Sequence, residues 1–144
     1  MNNLINPYLT FPGTTEAAMN FYKSAFGGEF AMVQRYKETP EADKVLPGDL
    51  DKMMHMALPI GKGNVLMASD SVESMGRPVS FGTNFSLSVS ADSRDEAEKL
   101  FGKLSSGGTV TMPMSDTFWG SYFGMLTDKF GIQWMVSFDA NPQP

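Results

Sequence analysis

The chain has 144 residues, 42% of them hydrophobic, which suits one domain or two small modules sharing a core. Its net charge of −5 argues against a nucleic-acid backbone or an anionic membrane as the main partner. The absence of cysteine excludes disulfides, thiolate metal sites and cysteine nucleophiles, and no apolar run approaches the roughly 20 residues of a membrane span.

The start, MNNLINPYLTF, lacks the basic and apolar regions of a signal peptide, so a soluble cytoplasmic protein is expected. PYLTF reads as the first strand. A helix follows, with Ala17, Ala18, Phe21, Tyr22 and Phe26 on its apolar face and Gly27–Gly28 leaving it at positive φ. EFAMVQRY starts the next strand. The stretch from Glu38 to Asp51 carries five acidic residues and prolines at 40 and 47, and reads as a mobile, solvated excursion. HMALPI and NVLMASD then flank the turn Gly61-Lys62-Gly63, and SVESMGRPVSFGT reads as a linker. FSLSVS opens a second run of elements. Ser93-Arg94-Asp95-Glu96 has the form of a capping box, and its helix carries Ala97, Leu100, Phe101 and Leu104 on one face. Gly107–Gly108 closes that helix and TVTMPM starts a strand, while YFGMLTD and GIQWMVSF flank Lys129–Phe130.

The two runs match each other. Glu16–Ala17, Phe21, Gly27–Gly28 and Met32 meet Glu96–Ala97, Phe101, Gly107–Gly108 and Met112 at a constant shift of 80. Gly63, Met67 and Ser69 meet Gly131, Met135 and Ser137 at a shift of 68, the difference reflecting the longer loop in the first run. Two collinear blocks indicate a duplicated module. The expected fold class is α+β: two βαβββ modules forming a curved, cup-like mixed sheet with the helices outside. They share a single domain over 1–144, with module 1 at 1–72, a linker at about 73–82 and module 2 at 83–144. The concave surface is where a small ligand is expected.

His55 is the sole histidine. It and Asp70 occupy facing ends of one hairpin: a three-residue turn sets His55 opposite Ser69, and a two- or four-residue turn sets it opposite Asp70. A carboxylate beside an imidazole fixes its tautomer and favours its charged form, making a general base or a ligand hook. The competing reading is a strand-end histidine with no chemical duty. DTFWGSYFG gathers Phe118, Trp119, Tyr122 and Phe123 as candidates for a pocket wall or rim. Trp134 and Met135 alternate, so one faces the cup and the other the helix; Met67 should face as Met135 does, and Tyr8 adds a hydroxyl. Tyr8, Met67, Phe118, Trp119, Tyr122, Trp134 and Met135 are thus the ligand-contact candidates, with core packing as the alternative for each.

YLTFPG, EAAMNFYKSAFGGE, HMALPIGKGNVLMASD, DTFWGSYFG and TDKFGIQWM together resemble the vicinal oxygen chelate superfamily of glyoxalases, extradiol dioxygenases and bleomycin- and fosfomycin-resistance proteins, and within it the PhnB-like group. The resemblance implies paired βαβββ modules and a homodimer. In metal-dependent members it implies four His or Glu ligands from the first and last strands of each module. The first-strand windows here, LINPYLT (4–10) and GTNFSLS (82–88), hold no His, Asp or Glu, and gap-free counting points to Pro7 and Asn84. IQWMVSF (132–138) holds none and puts Met135 at the last ligand position, while NVLMASD (64–70) offers only Asp70. No metal and no cofactor are therefore expected, since a hard divalent ion needs several converging oxygen or imidazole donors. The group commonly has a histidine where His55 stands. Its members often carry a methyltransferase label, but this chain has no glycine-rich strand-to-helix turn for a nucleotide. The expectation is a metal-free binder of an apolar or aromatic small molecule. The alternative is a metal-independent enzyme in which His55 and Asp70 transfer a proton on a small metabolite.

Overall fold

A computed structural model describes residues 3–76 and 78–140; Arg77, in the expected linker, and the last four residues lie outside the described residues. The chain divides into two compact units, with the break between Ser80 and Phe81. The first contains β1 (Tyr8–Phe11), α1 (Thr15–Phe26), β2 (Met32–Arg35), β3 (Met53–Ile60) and β4 (Asn64–Asp70). The second contains β5 (Leu87–Ser90), α2 (Arg94–Ser105), β6 (Thr109–Asp116), β7 (Ser121–Thr127) and β8 (Gln133–Asp139). Each unit is one βαβββ module in the α+β class. The sheets run β1-β4-β3-β2 and β5-β8-β7-β6. In each, the first and last strands pair in parallel and the other neighbours are antiparallel.

Each helix covers one face of its own sheet. In the first unit Leu9, Phe11, Met56, Leu58, Leu66 and Ala68 alternate inward and are buried. They face Ala18, Met19 and Tyr22 of α1, also buried. The buried stripe is thus rotated from the expected one: Ala17 is exposed, Phe21 and Phe26 are half-buried, and Met19 takes the central place. At 3.6 residues per turn, Thr15, Ala18, Met19 and Tyr22 form a narrow seam that leaves Ala17 outside. In the second unit α2 lays Ala97, Phe101 and Leu104 over Leu126, Trp134 and Val136.

The helix starts are held differently. Ser93 caps α2 as expected, its Oγ accepting the Glu96 N–H at 3.0 Å. Glu96 reaches past the cap residue to the Asp92 N–H, at 3.3 Å. Thr14, before α1, gives no side-chain cap. Its place is taken by Asp70 at the end of β4, buried at 4% exposure. One Asp70 oxygen accepts the Thr15 N–H and the other the Met53 N–H, each at 2.9 Å. A carboxylate at a helix N-terminus meets both the unsatisfied amides and the positive end of the dipole. Helix exits also differ: Gly107 takes φ +76°, whereas Gly108 is required by close approach. A Cβ on Gly108 would sit 2.9 Å from the Asp128 carbonyl carbon and nearer still to the Thr127 oxygen.

The stretch between β2 and β3, expected to be a mobile excursion, is instead packed. It forms single helical turns at Tyr36–Glu38, Ala42–Lys44 and Pro47–Asp49. Tyr36, Val45 and Val72 make a small buried cluster flanked by Leu50 and Met54. Arg35 ties it down by an ion pair to Glu16 at 2.7 Å and a bond to the Asp51 carbonyl at 2.7 Å. Asp49 pairs with Lys52 at 2.8 Å. Tyr36, Val45 and Leu50 thus pack the loop against Val72 and Met54 despite its acidic composition, and these polar ties hold it there.

Two stability experiments follow from these contacts. Asp70→Ala strands two buried amides and should cost roughly 3 kcal/mol, read as a lower urea midpoint with unchanged slope. Burial, followed by the nearby Asp70 charge, raises the Tyr36 phenol above its ordinary value of about 10. The unfolded chain therefore loses that proton first. The associated stability is intact below about pH 10 and is lost as pH rises through the folded-state value. Tyr36→Phe should flatten that alkaline limb of the pH–stability curve, as read by urea melts.

Candidate functional site

Because each unit has one helix for its sheet, the other face is left uncovered within the unit, which we term the open face. Cross-strand partners share a face, so the register identifies the open-face residues. In the first unit Tyr8 pairs with Met67, Met67 with Ala57, and Ala57 with Met32, making one row across four strands. The next row runs from Thr10 to Ser69 on β1 and β4, and from His55 to Gln34 on β3 and β2. The hairpin turn has three residues, between the paired Ile60 and Asn64. His55 therefore lies across from Ser69, one step beyond the Met56–Ala68 pair.

The structure joins His55 to Tyr8. The Tyr8 hydroxyl lies 3.0 Å from His55 Nδ1, and the rings stack at 5.6 Å between centroids with 30° between planes. Tyr8 is 50% exposed and reaches over β4 to meet the half-buried imidazole. When the phenol donates to Nδ1, the ring proton sits on Nε2 and that edge becomes a donor. Tyr8 ends the row of Met67, Ala57 and Met32, and its hydroxyl crosses to His55 in the neighbouring row, which also holds Thr10, Ser69 and Gln34. His55 and Asp70 are not joined. Consecutive strand residues face opposite ways, so with Ser69 on the open face, Asp70 points under α1, where both its oxygens are occupied.

The second unit repeats the layout with other side chains. Ser88, Met135, Met125 and Met112 make the row equivalent to Tyr8, Met67, Ala57 and Met32. Phe123, paired with Ser137, stands where His55 stands in the first unit. Met135 and Met67 both lie on open faces. Trp134 is the inward neighbour: it is 1% exposed, and its Nε1 donates to Asp128 Oδ2 at 2.8 Å. Asp128 also accepts the Phe130 and Ile132 amides, fixing the β7–β8 turn. The tryptophan counted among ligand-contact candidates is thus a core residue, with its polar edge satisfied inside the unit.

The aromatic segment splits in the same way. Phe118 and Trp119 sit at the β6–β7 tip, 97% and 59% exposed, edge to face at 4.9 Å. Trp119 continues onto Phe123 at 6.0 Å. Thr117 holds the tip, its Oγ1 donating to the Ser121 carbonyl at 2.8 Å. Tyr122 turns to the helix side, donating to Glu98 at 2.6 Å with the Arg94 guanidinium 4.0 Å above its ring. The Glu98 contact holds the Tyr122 phenol above its ordinary range.

The residues opposite Met67 and Met135 are Tyr8 and Ser88, not Pro7 and Asn84, both of which precede their strands. The irregular segment before β5 defeats a gap-free count. The donor sets in these rows are one phenol and two thioethers in the first unit, and one hydroxyl and three thioethers in the second. They do not fit a hard divalent ion, which takes carboxylate or imidazole donors. Among the described residues no three His, Asp or Glu side chains gather into a metal-holding group.

Residues 4–136 match the Glyoxalase/Bleomycin resistance protein/Dioxygenase superfamily. The chain is 38% identical to protein PA1353 from Pseudomonas aeruginosa, over 96% of this chain and 98% of that one, with a TM-score of 0.86. A Bacillus cereus structure described as a putative 3-demethylubiquinone-9 3-methyltransferase, PhnB protein, is 30% identical, over 94% and 99% of the two chains, with a TM-score of 0.76. Protein YjdN of Escherichia coli is 26% identical over 92% of this chain and 93% of its own length.

Trp134→Phe removes one charge-assisted bond from Asp128 and one of the two fused rings of a fully buried side chain. It should lower unfolding free energy by about 2 kcal/mol in a urea melt. Tyr8→Phe, at an exposed pair, should change the same free energy by less than about 1 kcal/mol.

Proposed function

Because the chain belongs to the Glyoxalase/Bleomycin resistance protein/Dioxygenase superfamily and to its PhnB-like group, we propose that it is a metal-free binder of an apolar or aromatic small molecule held on an open sheet face. The observation that carries this reading is the Tyr8–His55 pair, an oriented polar group beside the apolar row of Met67, Ala57 and Met32. Such a face pairs dispersion and hydrophobic contact with one hydrogen bond that fixes orientation. Met67 and Met32 supply flexible thioethers that adapt to a ring. The open face of the second unit offers Met125, Met135 and Phe123, and the tip adds Trp119. Trp134 and Tyr122 have no part in this reading, being turned to the helix side.

The same pair supports an enzymatic reading. In the other tautomer Nδ1–H donates to the phenol oxygen, which leaves Nε2 unprotonated as a general base. In that reading Tyr8, not Asp70, partners His55. A methyltransferase activity, the description borne by the Bacillus cereus relative, gains no support from the residues present: no glycine-rich turn leads from a strand into either helix. We further propose a homodimer, which the family resemblance supports, and a cytoplasmic location, the expectation from the sequence; sedimentation should give the mass of two 15.8 kDa chains.

The deciding experiment is a thermal-shift screen of apolar and aromatic metabolites on wild type, Tyr8→Phe and His55→Gln. A true ligand at a hundredfold excess over its dissociation constant stabilises by about 2.7 kcal/mol, a shift of several degrees. That shift should persist in chelator and shrink in both variants. A shift equal in all three proteins removes the pair from the site. A shift abolished by chelator removes the metal-free reading. If any ligand is turned over, loss of turnover in a folded His55→Gln favours the enzyme.

A further inference from the structure

Met112, Met125 and Met135 stand side by side on three adjacent strands of the second unit. Cross-strand neighbours of this kind are about 5 Å apart at Cα, and a methionine side chain is long and flexible, so the three thioethers are neighbours on one face of the sheet. Met112 is 42% exposed, and Met125 and Met135 are half-buried. Met112 lies on β6, the edge strand of its sheet, and irregular pairing on either side, where β6 gains residues relative to β7, sets it opposite Met125. Met19, Met53 and Met56 are the opposite case, at 0%, 0% and 1% exposure inside the first unit. In the first unit's equivalent row Ala57 separates Met32 from Met67, so the sulfurs there are not contiguous.

We propose that the Met112–Met125–Met135 row is a peroxide-sensitive modification site that switches the open face of the second unit from apolar to polar. A thioether sulfur attacks one peroxide oxygen; the S–O bond forms as the O–O bond breaks. The sulfur is oxidised by two electrons, and the peroxide is reduced to one sulfoxide oxygen and one water, which takes up both protons. The product is polar and chiral, and methionine sulfoxide reductases reverse it. Three adjacent sulfoxides replace three apolar contacts with strong acceptors that an apolar ligand leaves unpaired. The consequence for binding rests on the reading that open faces take an apolar ligand.

The test treats the intact protein with hydrogen peroxide and follows each methionine by peptide mass spectrometry, with Nile red fluorescence reporting the apolar face. The row should oxidise at least about tenfold faster than Met19, Met53 and Met56, which react only through opening of the fold. Nile red binding should fall in step and return with methionine sulfoxide reductase. A triple variant, Met112→Leu, Met125→Leu and Met135→Leu, nearly conserves volume and should keep its Nile red signal through the same treatment, although Met32 and Met67 remain on the first unit. Oxidation of the row no faster than of the buried methionines overturns the proposal. So does equal loss of signal in wild type and triple variant. Absence of Nile red binding to untreated protein counts against the ligand reading alone, because the oxidation order is read by mass and still decides the modification.

Discussion

Each module has one helix to cover a four-stranded sheet, and the placement of nearly every residue of interest follows from that shortage. A helix buries one face of the sheet beneath it. Strand alternation then assigns every second residue to the covered side and its neighbours to the open side. Leu9, Phe11, Leu66 and Asp70 go one way; Tyr8, Thr10, Met67 and Ser69 go the other. No side chain crosses this division without a change of register, and the fixed three-residue turn between β3 and β4 holds the register of His55.

The division separates two polar systems that are close in sequence. Asp70 is a structural carboxylate: it supplies the cap that Thr14 does not, and it ties β4 to the start of β3. His55 is held on the open side by Tyr8. The arrangement leaves the histidine's second ring nitrogen for other use without disturbing the core. Duplication sharpens the contrast, since the second unit keeps the methionines of the row but has Ser88 and Phe123 at the positions of Tyr8 and His55. Asp128 is this unit's buried carboxylate, and it braces a turn and Trp134 rather than a helix start.

Much of this was legible in the sequence because it is local. Ser93 and Glu96 announce a helix start, and paired glycines mark both helix ends. Matching methionines at Met67 and Met135 point to equivalent positions in two modules. What was not legible depended on phase or on distant contacts. Alternation along β8 sets Trp134 and Met135 on opposite faces but does not say which is inside; the Asp128 carboxylate, six residues away, settles it. The Tyr8–His55 bond joins residues 47 apart across an intervening strand, so neither residue signals the other. The loop after β2 misled because its acidic composition outweighs Tyr36, Val45 and Leu50, whose spacing has no period.

A chain with a single histidine permits an unusually direct measurement, because its imidazole signals need no assignment. Nitrogen-15 NMR of the ring should show Nδ1 engaged in a hydrogen bond in wild type and released in Tyr8→Phe. Adding a compound that stabilises the protein should then move the Nε2 and ring-proton resonances of His55. Imidazole signals that ignore both the loss of the Tyr8 hydroxyl and every stabilising compound would contradict the account of this face as a binding surface anchored by that pair.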